Sequence, residues 1–107
     1  MKIQAITSTL QHEMSLDINF AILFSTTLIP EISKMNEIDD YCLFIDFIMN
    51  DNLTQILIHD GGATYDEKIH DMVQADYLSI ESDLLIKNSY RLYYSIDEEI
   101  ICFLNER

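Results

Sequence analysis

Two His-Asp pairs, His59-Asp60 and His70-Asp71, are the residues whose types and spacing come nearest to chemistry in this chain. Imidazole and carboxylate together form a donor set for zinc, manganese or iron. The two pairs stand eleven residues apart, a spacing that belongs to no metal motif. On a helix His70 and Asp71 would also point in different directions, whereas ligands must converge. A surface histidine beside an acid is the simpler account of each pair. A small metal-dependent enzyme using His59, Asp60, His70 and Asp71 is kept as the catalytic alternative.

The other chemical candidates are weaker. His12-Glu13 lacks the second histidine four residues on that a metalloprotease helix requires. Neither 46–52 nor 60–67 alternates oxygen ligands around a glycine at the sixth position, so no dedicated calcium loop is expected. Gly61-Gly62 has acidic neighbours and no following Lys-Ser/Thr, which makes it a tight turn and not a phosphate cradle. Cys42 and Cys102 sit in apolar runs that predict burial, where thiols act as small hydrophobes and not as nucleophiles. Adjacent acids such as Asp39/Asp40 and Glu98/Glu99 could share acid-base work only if one were buried with a raised pKa, and acids in a charged run are usually both solvated. No catalytic residue, metal or cofactor is therefore expected.

What remains is a surface. The chain has 19 acids against six bases, for a net charge of −13. The excess is concentrated: residues 36–83 hold twelve acids and one base, Lys68, while the flanking segments are each near balance. Such a concentration costs the folded state self-repulsion and focuses a negative field on part of the surface. Acidity that only keeps a protein in solution is the bland alternative. Six tyrosines, Tyr41, Tyr65, Tyr77, Tyr90, Tyr93 and Tyr94, lie among these acids, and tyrosine offers rigid apolar area with a polar tip at binding hot spots. Tyr41 itself is assigned to the core. The expected partner-binding set is Asp39, Asp40, Asp60, Tyr65, Asp66, Glu67, Asp71, Asp76, Tyr77, Glu81 and Asp83. The bases Lys2, Lys34, Lys68, Lys87, Arg91 and Arg107 never cluster, which argues against direct contact with nucleic acid or with anionic membranes.

These side chains must be positioned by a single domain spanning 1–107, long enough for one core and free of repeats, linkers and low-complexity tracts. Its longest apolar runs are five residues, far short of the ~20 that cross a bilayer, and no signal-peptide pattern opens it, so a cytoplasmic location is expected. Two glycines and one proline leave turns to Asn, Asp and Ser. From Ser15 to Lys34, Ile18, Ala21, Ile22, Leu28 and Ile29 recur at helical spacing, with Pro30 ending or kinking the run. The apolar run 41–49 fits a buried strand or a buried helix; with the second apolar stretch 53–59 beyond Asn50-Asp51-Asn52 it suggests a hairpin, a helical 41–59 being the alternative. Thr64 can cap a helix with Ile69, Met72 and Val73 as its buried stripe. One or two strands fit 77–96, and Ser95-Ile96-Asp97-Glu98 has the form of a capping box opening a closing helix through Leu104. The expected fold class is α+β, an N-terminal helix with a short antiparallel sheet and flanking helices; an all-α bundle is the rival.

Size, acidity and the lack of catalytic motifs resemble, at the level of a class and through no shared motif, bacterial immunity proteins that neutralise nuclease toxins. The expectation is a non-enzymatic acidic inhibitor whose carboxylates stand in for the phosphates that a basic partner binds. A phage-encoded DNA mimic that blocks a restriction or CRISPR effector rests on the same physics and is the alternative.

Overall fold

The computed structural model describes residues 1–35, 42–59 and 76–107, with the backbone alone at 76 and 77. Helical segments lie between the first strand and the other five of a six-stranded mixed sheet, so the class is α+β and the all-α bundle is excluded. In chain order the elements are β1 (Ala5–Ile6), α1 (Ser8–Leu16), α2 (Ile18–Leu23), a π-turn (Phe24–Leu28), α3 (Ile29–Lys34), β2 (Cys42–Met49), β3 (Thr54–His59), β4 (Asp76–Ser82), β5 (Tyr90–Ser95), β6 (Ile100–Phe103) and a short 3-10 turn (Leu104–Glu106). The sheet runs β1-β6-β5-β2-β3-β4. All neighbours are antiparallel except β1 and β6, so the sheet is mixed and larger than the short antiparallel one expected.

The hairpin expected over 41–59 forms between β2 and β3, in register from Met49↔Thr54 to Phe44↔His59. Strict alternation in β2 sends Leu43, Ile45 and Phe47 to one face, where Ile56 and Ile58 of β3 and Tyr90, Leu92 and Tyr94 of β5 join them. The helical segments cover this face with Leu10, Phe20, Leu23, Phe24, Leu28 and Ile32. At its centre the Phe20 ring stacks on Tyr90 at 4.0 Å and meets Phe47 edge-on at 4.9 Å.

The N-terminal helix is broken and rotated relative to the sequence expectation. Asp17 ends α1 and caps α2, accepting from the Phe20 amide at 3.3 Å. Pro30 does not end the run, which continues to Lys34 with Pro30 in the first turn of α3. Just before it the chain widens into the π-turn, where Ile29 N–H donates to Phe24 O. The Ser25 and Thr26 hydroxyls donate to the carbonyls of Ala21 and Ile22 as the turn widens. The extra residue keeps Phe20, Phe24, Leu28 and Ile32, each four apart, on the sheet side where a regular helix would drift away. Ile18 and Ile22, expected on the buried stripe, are exposed.

At Ser95 only the hydroxyl half of the expected capping box forms, and it closes a turn, not a helix. Ser95 Oγ accepts the Glu98 amide at 3.3 Å, and Glu99 then takes φ 59°, which reverses the chain into β6. The closing helix expected there is a strand because Ile101 is needed on the core face opposite Tyr94. The helix expected from Thr64 lies outside the described residues.

Candidate functional site

Of the expected partner-binding set, Asp39, Asp40, Asp60, Tyr65, Asp66, Glu67 and Asp71 lie outside the described residues, as do Tyr41 and His70. Asp76 and Tyr77 open β4, an edge strand, and Glu81 and Asp83 are exposed at its far end. The β2–β3 turn reaches the same end, since Thr54 pairs with Ser82, and it adds exposed Asp51. Among the described residues none of Asp51, Glu81 and Asp83 makes an ion pair. Three of the bases are engaged elsewhere: Lys34 with Glu31, Arg91 with Asp46 and Arg107 with Glu98. In the sequence Asp51 reads only as a turn residue; its place at the same end as Glu81 and Asp83 follows from the register of two strand pairs.

This end is firmly built. Thr54, fully buried, donates its hydroxyl to Leu84 O and accepts the Ile86 amide at 3.3 Å. Asp17, 2% exposed, accepts from the Lys87 amide at 2.7 Å and from the Tyr90 hydroxyl at 2.9 Å, which ties the α1–α2 junction to the 83–89 loop and to β5. Asn19 Nδ2 donates to Leu85 O at 2.6 Å and Lys87 Nζ to Leu16 O at 2.8 Å, adding two more stitches. Ser89 Oγ accepts the Met49 amide at 2.9 Å, so the β2–β3 turn is held to the same loop.

The tyrosines are corrected in part. Tyr90 and Tyr94 are core residues and not recognition residues, because they alternate with Leu92 on the helix-facing side. Burial raises both hydroxyl pKa values, with Asp17 adding to the rise at Tyr90 and Glu99 at Tyr94. Tyr94 donates to Lys2 O. Tyr93 points to the other face, half-buried, with the Arg107 guanidinium 4.4 Å above its ring. Its hydroxyl is also pushed up, first by burial and then by Cys42, against a lowering by Arg107.

On that second face His59 is not a surface histidine. It is 2% exposed, its Nε2 lies 2.9 Å from Asp46 Oδ2, and its ring lies 5.8 Å from that of Phe44. Arg91 Nε approaches the other oxygen of Asp46 at 3.5 Å. A carboxylate-held imidazole can act as a base only where a substrate can reach it, and burial closes this one in the conformation described. The pairing gives Asp46, the one polar residue of β2, a partner across the hairpin. Cys102 is buried as expected, with its thiol pKa pushed up by burial, while Cys42 is only half-buried. The two are two strands apart and both are free thiols. Among the described residues no three His, Cys, Asp or Glu side chains are grouped to hold a metal.

A cleft of about 510 Å³ opens between α1 and the β5–β6 end, floored by Tyr90, Phe103 and Leu104 with Glu13 and Arg91 at its walls. It brings together no nucleophile and base, and defines no reaction class. Among the described residues no helix is long and apolar enough to cross a membrane. Comparison with protein-family models, with curated proteins and with solved structures finds no match to this chain.

Proposed function

We propose that the chain is a non-enzymatic inhibitor that binds and masks a basic protein, its natural target being a nuclease toxin and its role that of an immunity protein. The observation that carries this reading is the gathering of Asp51, Glu81 and Asp83 at one rigid end of the sheet, solvent-facing and outside any ion pair among the described residues. Twelve acids and one base in 36–83 extend the same field along the sequence. A surface of this kind steers a cationic partner into contact and mimics the phosphates that a nuclease cleft receives.

The test is affinity capture at low salt from the cells that make the protein, eluted by a salt step. Recovery of one basic nuclease at near-equal stoichiometry, whose activity the chain abolishes, supports the reading. Recovery of a nucleic-acid-guided effector instead assigns the protein to anti-defence. If no basic protein is retained, the acidity is plain solubility and the reading falls. In the captured complex Glu81→Lys with Asp83→Lys should slow association about tenfold at low salt while changing dissociation little, and salt-insensitive association would contradict the mechanism.

A further inference from the structure

The described residues include five large apolar side chains with substantial exposure: Ile18 at 71%, Leu16 at 54%, Met49 at 47%, Leu85 at 44% and Ile22 at 39%. They are not scattered. Leu16 ends α1 and Ile18 opens α2 on either side of the junction at Asp17, with Ile22 one turn beyond Ile18 on α2. Leu85 sits in the 83–89 loop, which Asn19 and Lys87 bond directly to that junction. Met49 ends β2 and is tied to the same loop through Ser89. All five therefore stand on segments stitched to one another at a single end of the molecule, the end that also carries Asp51, Glu81 and Asp83.

Isolated exposed hydrophobes need no explanation, but several on neighbouring segments at an end that also carries acids have the makings of an interface centre. We infer that this end is an apolar docking surface for a basic protein partner, one whose contact carries an apolar centre ringed by lysines or arginines. The inference rests on the proposed masking of a basic protein and says where and by what contacts it occurs. Charge complementarity selects the occupant. A second copy of this chain would set Asp51, Glu81 and Asp83 against their own kind within a molecule of net charge −13. An anionic membrane is opposed by the same rim. A cationic surface with an apolar centre satisfies both parts, the acids steering the approach and the apolar group slowing release.

The surface is rigid before binding. Asp17, Thr54, Asn19 and Ser89 hold its segments through hydrogen bonds of their own, so little ordering remains to be done on contact.

The test uses two synthetic probes of equal charge: a peptide of leucine and lysine with the leucines on one helical face, and the same sequence with serine at every leucine. Methyl NMR of the full chain reports both location and affinity. The expected result is that the leucine-lysine peptide shifts the methyls of Leu16, Ile18, Ile22, Met49 and Leu85 and binds at least about tenfold more tightly than the serine peptide. Ile18→Ser with Leu85→Ser, both exposed and so expected to leave the remaining methyl spectrum intact, should remove that difference. Equal binding of the two peptides, or shifts away from these five residues, overturns the apolar surface; if Glu81→Lys with Asp83→Lys still weakens both peptides, the basic-partner reading stands without it. Binding of neither peptide overturns both.

Discussion

Replacing Asp17 with alanine should destabilise the protein by about 3–5 kcal/mol. The carboxylate is 2% exposed and accepts three hydrogen bonds, from the Lys87 amide at 2.7 Å, the Tyr90 hydroxyl at 2.9 Å and the Phe20 amide at 3.3 Å. Loss of the α2 cap alone costs about 1 kcal/mol. Alanine also leaves the part-buried Lys87 amide and the buried Tyr90 hydroxyl without an acceptor, at up to about 1–3 kcal/mol each. The total is held below the sum of the upper figures because the variant no longer has to desolvate a charge. Tyr90→Phe removes one of the three bonds and keeps the ring stacked on Phe20, so it should cost about 1 kcal/mol. Urea unfolding of the two single variants and the double variant, followed by circular dichroism, measures the coupling, expected at about 1–2 kcal/mol. If D17A lost less than about 1 kcal/mol and the two substitutions were additive, Asp17 would not be the tie between junction, loop and sheet described above. Should D17A prove too unstable to purify, Tyr90→Phe and the exposed Asn19→Ala still test the same tie.

Raising the pH should weaken the fold. Tyr90 and Tyr94 hold their protons above the ordinary value of 10.0 in the folded state, so the stability they confer is complete below pH 10 and is lost as the pH climbs through the folded values. Urea midpoints between pH 8 and pH 11.5 should show that fall, and Tyr90→Phe should flatten it; a flat wild-type profile would refute it. Thiol labelling of the native protein at pH 8, read by mass spectrometry, should modify half-buried Cys42 before buried Cys102, whose thiol is also held protonated by its surroundings. Glu99→Gly should stabilise by about 0.5–1 kcal/mol, because glycine adopts φ 59° without strain and removes a buried carboxylate oxygen that has no partner; unchanged or lower stability in thermal unfolding would count against this.

The hairpin of β2 and β3 was legible because two apolar runs flank Asn50-Asp51-Asn52, and both helix and strand content followed from similar local signals. Most of the differences between sequence expectation and structure share a cause: they depend on another part of the chain. The π-turn before Pro30 changes which side of the helix faces the sheet, and no local spacing announces it. Ser95 and Glu98 make their capping bond, but only the pairing of β6 with β5 decides that a turn and not a helix follows. Tyr90 and Tyr94 did carry a readable signal, their even spacing with Leu92, which places all three on one face of a strand. The partnership of His59 with Asp46 depends on the hairpin register, and the placing of Asp51 at the same end of the sheet as Glu81 and Asp83 depends on two registers at once. The acidity itself was fully legible, and its assembly into a surface was not.

The place of β1 bears on how the protein is made. Ala5 and Ile6 precede every other strand of the sheet in chain order, yet among the described residues their strand partner is β6, which follows all the others. The apolar stripe of Phe20, Leu23, Phe24, Leu28 and Ile32 must likewise wait for β2 and β5 before it has a sheet to cover. A nascent chain therefore carries an uncovered greasy helix until β2 and β5 have emerged, and β1 is paired only once β6 has followed them. Cells that slow translation between α3 and β5 would prolong that exposure, and holdase chaperones that grip apolar helices would find their binding site in this stripe.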